Sequence, residues 1–245
     1  MPQPPASDPN HPMLDNPFWH ALTTEHAHFA IGDEHARRYP AQVSPIVALA
    51  HVDEAGFAAL KQIVAPGEMV GGWGLAPPFP APWQFVFGGL GFQMICPQPL
   101  ADRPLATDSA DTEVVILGLA DAEAMMALVA LAQPGPFMPR TVEMGRYVGI
   151  RVAGQLVSMA GERACLPGYR EISAVCTHPD HLGKGYASHL VTRLVNTNFE
   201  QGILSFLHVD SANVRALGMY EHLGFVHRRS IKIAAIQYTD DVETP

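Results

Sequence analysis

Residues 170–187, REISAVCTHPDHLGKGYA, constrain the fold of this chain more than any other stretch. Residues 171–177 form a short run rich in β-branched and apolar side chains, which is the composition of a strand. Pro179 cannot donate to a sheet ladder, and with Asp180 it marks the end of that strand. Beyond Gly183 and Gly185, the apolar residues Ala187, Leu190, Val191 and Leu194 recur at helical spacing. The order is strand, glycine loop, helix. Glycines let successive backbone N–H groups turn toward one point, and the new helix adds unpaired N–H groups and a positive dipole end. Such a nest holds an anion, and a phosphate or pyrophosphate suits it best.

Two familiar phosphate loops are excluded. The chain has no G-x-x-x-x-G-K followed by Ser or Thr, and Ser188 stands where the third glycine of a dinucleotide fingerprint belongs. The run Leu182, Gly183, Lys184, Gly185, Tyr186, Ala187 instead resembles the coenzyme A loop of the GNAT superfamily of N-acetyltransferases. That loop reads Gln or Arg, two free positions, Gly, one free position, then Gly or Ala. Gly185, Ala187, the preceding strand, the His178-Pro179 turn and the following helix agree with it. Leu182 departs from it, at the Gln or Arg position. A second block resembles the superfamily's later motif, N-x-x-A-x-x-x-Y-x-x-x-G-F, with Asn213, Ala216, Tyr220, Gly224 and Phe225 on its fixed positions. The resemblance covers about residues 112–236.

The resemblance implies an α/β (α+β) fold, a mixed, mostly antiparallel sheet with a splayed central strand flanked by helices. A smaller β/α N-terminal module precedes it. The expected layout is a flexible proline-rich tail over 1–12, that module over 13–105, and the acetyltransferase domain over 112–238, with the boundary in the polar, proline-containing connection 97–111. Along the N-terminal module the pattern predicts a short helix over 17–26, a strand over 43–51 and a helix over 53–64, then strands over 69–75 and 83–96. In the second part it predicts a strand over 113–119 and a helix over 121–132. The loop 133–139, a helical turn over 141–144 and a hairpin of 147–152 with 155–165 follow. After the central strand, loop and helix come a strand over 203–209, a helix over 213–222 and a closing strand over 226–236. The acidic tail after Tyr238 is expected to be mobile.

The implied activity is transfer of an acetyl group from acetyl-CoA to an amine by direct attack in a ternary complex. The alternative is a non-catalytic acyl-CoA-binding or interaction protein on the same scaffold, and a longer acyl donor also stays open. In such a site a bulged central strand pairs with the pantetheine arm, which assigns Ala174, Val175, Cys176 and Thr177 to the cofactor, with the Val175 N–H as oxyanion donor. Leu182, Gly183, Lys184, Gly185, Tyr186, Ala187 and Ser188 are assigned to the pyrophosphate cradle, with Lys184 either meeting a phosphate or simply solvated. Tyr220 is the candidate general acid beside the coenzyme sulfur, against a plain core tyrosine. Asn213 is a candidate cofactor contact, against a helix cap.

Glu171 is the candidate general base, a role that needs a raised pKa; the alternative is an ion pair with Arg170 or another strand-end residue. Cys176 is disfavoured as an acyl-enzyme nucleophile, because no activating histidine pattern accompanies it. His208 and His222 either line the acceptor site or are structural. The acceptor is a small-molecule or peptide amine of undetermined identity.

Composition bounds the rest. A net charge of −9 on 245 residues argues against nucleic-acid binding, which needs a basic face. No apolar run is long enough to span a membrane, since Asp121 and Glu123 break the best one, and no signal peptide is visible. Cys96, Cys165 and Cys176 contain no C-x-x-C pair and suggest reduced thiols in the cytoplasm. His20, His26, His28 and His35 have no metal-ligand spacing and read as surface histidines, so no metal is expected. Oligomeric state is not readable, a homodimer being one open state.

Overall fold

The computed structural model describes residues 8–105 and 111–239. Residues 1–7 of the expected N-terminal tail, and the acidic C-terminal tail beyond 239, lie outside the described residues. Residues 8–12 are docked on the protein: Arg228 Nε donates to Pro9 O at 3.0 Å, and the Tyr169 hydroxyl donates to Asp8 O at 2.8 Å.

In chain order the elements are α1 (Pro17–Thr23), β1 (Ile31–Gly32), β2 (Ala36–Arg38), β3 (Val47–Leu49), α2 (Glu54–Ile63), β4 (Val70–Trp73), β5 (Trp83–Cys96) and β6 (Thr112–Leu117). There follow α3 (Ala122–Ala132), β7 (Tyr147–Val152), β8 (Gln155–Leu166), β9 (Tyr169–Thr177), α4 (Tyr186–Glu200), β10 (Leu204–Asp210), α5 (Val214–Leu223) and β11 (Val226–Tyr238). Strands β1 to β3 form a small sheet, and the others form an 8-stranded sheet ordered β4-β11-β5-β10-β9-β8-β7-β6. Every neighbouring pair in the large sheet is antiparallel except β9 with β10. That pair is parallel because α4 carries the chain back across the sheet, the connection parallel strands require.

The sheet runs across the connection where the sequence places a domain boundary. β4 and β5 come from before it, yet β5 lies between β10 and β11, over registers such as Ile95 with Phe206 and Phe92 with Ser230. The N-terminal module is thus woven into the acetyltransferase sheet rather than set beside it. The reason is long-range pairing, which local periodicity does not report.

Alternation along the strands assigns the two faces. Met94, Leu207 and Ile172 pack on one face against Leu190, Val191, Leu194 and Val195 of α4 and Tyr220 and Leu223 of α5. Ile95, Phe206 and Tyr169 pack on the other against Leu14, Phe18 and Leu22, and α3 covers the same face farther along with Met125 and Leu128. Helix starts follow their caps: Asp53 Oδ1 accepts Gly56 N–H at 2.9 Å and Asn213 Oδ1 accepts Ala216 N–H at 3.1 Å.

His26 corrects the surface reading of the N-terminal histidines. Only 3% of it is exposed; its Nε2 donates to Met144 O at 2.8 Å and its Nδ1 accepts the Tyr39 hydroxyl at 2.9 Å. Burial, with help from His28 and Arg170, lowers its pKa to about 4 against the pull of the Met144 carbonyl. Below pH 6.5 the unfolded chain takes up a proton that the folded chain refuses, so stability falls as pH drops from 6.5 toward 4. The full effect is on the order of 3 kcal/mol. Urea unfolding across pH 7.5 to 4.5 should show this loss in the wild type. His26→Asn should start less stable and lose less over the same range.

Candidate active site

β9 and β10 are paired over only three registers, Leu204 with Tyr169, Ser205 with Arg170 and Phe206 with Glu171. Beyond Glu171 the strands diverge. A cleft of about 1180 Å³ opens between Ile172–Thr177 of β9 and His208–Asp210 of β10, and runs to the start of α4. On its β8 side, β9 carries a bulge: Met159 pairs with Cys176 and Gly161 with Ser173, so Ala160 faces both Ala174 and Val175. Ala174 takes a φ of +52°, a left-handed conformation that costs a non-glycine residue about 1 kcal/mol. A bulge leaves one residue without a ladder partner and turns its strand, and this one lies on the cleft wall.

At the far end of the cleft Gly183 and Gly185 have φ of +79° and +76°, and a Cβ at either would meet nothing within 4 Å. The glycines are needed for conformation, not for space. The first intrahelical bond of α4 runs from His189 N–H to Gly185 O at 3.0 Å, so the N–H groups of Tyr186, Ala187 and Ser188 precede it. Leu182, Gly183 and Lys184 are exposed at the mouth, with 46% of Leu182 open to solvent.

From the opposite wall, α5 presents Tyr220, 7% exposed, to the cleft. Burial, and then the neighbouring Cys176, raise its pKa, so the phenol keeps its proton. Asn213 lines the cleft and caps α5 at once, its Oδ1 already engaged by Ala216. Cys176 is buried, and burial raises its thiol to about 12. Every residue assigned to the cofactor lines this one cleft: 174–177, 182–188, Asn213 and Tyr220.

Glu171 is placed otherwise. It is fully buried and not part of the cleft wall. Arg163 donates to it twice, Nε to Oε2 at 3.0 Å and Nη2 to Oε1 at 2.6 Å, and His208 Nδ1 lies 2.7 Å from Oε1. Burial alone would raise its pKa, but Arg163 and His208 outweigh burial and hold it at about 2. The raised pKa that a base at this position requires is therefore absent. The partner is Arg163 across the sheet, not Arg170, whose guanidinium pairs with Glu25 at 2.7 Å.

Arg163 itself was invisible to pattern reading. It lines the cleft while its guanidinium lies 4.8 Å from the Trp73 ring and 5.5 Å from the Phe18 ring. His208 also lines the cleft. Residues 131–135, the end of α3 and the following loop, also line the cleft.

The FR47-like protein family matches residues 147–232. Over 94% of this chain and 99% of the other, the sequence is 30% identical to a GNAT-family acetyltransferase from Novosphingobium aromaticivorans, with a TM-score of 0.81. GCN5-related N-acetyltransferases from Kribbella flavida and Sphaerobacter thermophilus share the fold at 18% and 14% identity. Those two similarities have TM-scores of 0.55 and 0.51, and cover 86% and 88% of this chain and 90% and 78% of the others. No curated protein sequence matches the chain.

The cradle is tested at Ala187, in the first turn of α4. Ala187→Glu would put bulk and a like charge against a pyrophosphate held there, and calorimetry should then show acetyl-CoA binding weakened at least 100-fold. The variant should unfold with the wild-type midpoint, because the side chain faces the cleft.

Proposed function

The chain belongs to the GNAT family of acetyltransferases, and on that premise we propose that it moves the acetyl group of acetyl-CoA onto a primary amine by direct attack in a ternary complex. The observation that carries this reading is the single cleft in which the β9 bulge, the glycine cradle and the Tyr220 hydroxyl converge.

The cofactor would enter between the diverging strands. Its pyrophosphate would meet the N–H groups at the start of α4, with Lys184 in reach from the mouth. Its pantetheine arm would take up the backbone groups that β9 and β10 no longer offer each other. At the bulge, the Val175 N–H would hydrogen-bond the thioester oxygen as it becomes an oxyanion, a donor fixed in advance by the fold. The amine would approach past residues 131–135, toward a floor made by Arg163 and His208.

The bond ledger is simple. The amine nitrogen bonds the acetyl carbon, the carbon–sulfur bond breaks, and the proton lost by nitrogen balances the one gained by coenzyme A. Holding both substrates side by side supplies the main advantage. Tyr220 keeps its proton at neutral pH and is far less acidic than the thiol it would serve. It would therefore act as a hydrogen-bond donor to the departing sulfur before it acts as an acid. Glu171, held ionised by Arg163, is better suited to positioning than to taking a proton. The nitrogen's proton would pass to solvent in the open cleft.

The test is acetyl transfer from acetyl-CoA to a panel of small amines, amino acids and peptides, read as release of free thiol. Tyr220→Phe should lower kcat about 100-fold, the scale of one acid–base contribution, with little change in acetyl-CoA affinity. Binding of acetyl-CoA without transfer to any amine class would overturn the reading.

A further inference from the structure

On the sheet face opposite α4, a row of polar side chains crosses the adjacent strands β8, β9, β10, β5 and β11. From one end it reads Arg163, Glu171, His208, Gln93 and Arg228. Arg163 holds Glu171, and Glu171 Oε1 meets His208 Nδ1 at 2.7 Å. His208 Nε2 lies 3.1 Å from Gln93 Nε2, and Gln93 Oε1 lies 2.7 Å from Arg228 Nη1. Residues 9–15 close the far end. Pro9 O and His11 O accept from Arg228 at 3.0 and 3.3 Å, Leu14 O accepts from Gln93 Nε2 at 2.7 Å, and Asp15 pairs with Arg228 at 2.9 Å.

The direction of each bond follows from chemistry alone. An arginine only donates, so the Gln93 atom facing Arg228 is the carbonyl oxygen. A backbone carbonyl only accepts, so the atom facing Leu14 is the amide nitrogen. That nitrogen donates its second hydrogen to His208 Nε2, which must then be the bare nitrogen of the ring. The proton sits on Nδ1 and is given to Glu171. Arg228, at the edge of the row, thus dictates a tautomer two side chains away.

We infer that Gln93 and Arg228, held by residues 9–15, are positioning residues for acetyl transfer: they lock His208 as the Nδ1–H tautomer and through it fix Glu171 at the root of the cleft. The inference rests on the acetyl-transfer reading above. Glu171 belongs to the last register at which β9 and β10 are paired, so the side chains locked to it govern where the cleft begins. The lock also keeps the cleft floor free of net charge, with Arg163 and Glu171 cancelling and His208 neutral.

The surroundings of His208 agree. Arg163 from β8, and Arg229 beyond Arg228, repel a charge on the ring. Phe18 of α1, Trp73 of β4 and Phe206 of β10 pack around it. Burial lowers its pKa from 6.5, although Glu171 pulls the other way.

Gln93→Glu reverses one link, replacing the donor on His208 Nε2 with an acceptor. Long-range nitrogen–proton NMR of the histidines should show wild-type His208 protonated on Nδ1 alone from pH 8 to 6. In Gln93→Glu it should be doubly protonated at pH 7, and kcat/KM should fall at least tenfold between pH 8 and 6.5 where the wild type does not. Arg228→Met, which frees Gln93 to flip, should give a mixed tautomer and serves if the first variant fails to fold. An Nε2–H tautomer in active wild type, or wild-type titration and pH profile in a folded Gln93→Glu, overturns the inference alone. The stated tautomer with no acetyl transfer by the wild type overturns the positioning role together with the reading beneath it.

Discussion

Everything in this structure depends on two parallel strands that stay paired for three registers and then part. Parted strands leave backbone N–H and C=O groups without partners, and leaving such groups unmade in a dry interior costs about 1–3 kcal/mol each. The fold tolerates this because the groups face an open cleft rather than a sealed core. A ligand with its own amides, such as a pantetheine arm, could restore the missing ladder. The bulge at Ala174 adds strain at the same place, and strain of this kind persists only where the surroundings over-determine it. Here they do. Ser158 Oγ donates to Cys176 O at 2.9 Å just beyond the bulge, and the Arg163–Glu171 pair clamps the strand before it.

The N-terminal residues supply the other half of that clamp. Without β5, β10 would have a free edge on the side away from β9; with it, β10 is paired over Ser205–Asp210 and only the cleft side is open. Phe18 and Trp73 then close over Arg163, so the ion pair is shielded from water. A buried pair is a weak source of net stability, since desolvation offsets much of the attraction. Its value here is placement: removing either partner strands a charge, and the pair ties β9, one of the two strands that define the cleft, to β8.

The local parts of this design were legible in the sequence. The hairpin joining residues 147–152 to 155–166, the glycine loop and the capped helix after Asn213 depend on turn chemistry and short-range periodicity, and the structure has them where the pattern puts them. The short strands β1 and β2 were missed because two or three residues carry no period. The insertion of β5 was missed because nothing in a strand's own sequence names its neighbours. The same blindness misjudged His26 and Glu171. Each is a titratable residue whose environment is built by partners more than a hundred residues away, or across strands whose order was not known: Met144 for His26, Arg163 and His208 for Glu171. The clue for Glu171 was an arginine inside a strand otherwise rich in buried residues, since such a charge must find a partner.

Net charge is the last constraint to reconcile. The chain carries −9, and a coenzyme bearing phosphates would be repelled by it at long range. At physiological ionic strength that repulsion is screened beyond about 8 Å, whereas the cradle acts within hydrogen-bond distance. On the proposed reading the field there would be set by the N–H groups and dipole of a 15-residue helix, with the Lys184 ammonium near the mouth. A leucine at position 182 brings neither the amide of a glutamine nor the charge of an arginine, but it leaves the backbone N–H groups at the start of α4 in place. On the proposed reading, the conformation of Gly183 and Gly185, not the sign of the whole protein, would decide whether the anion is held.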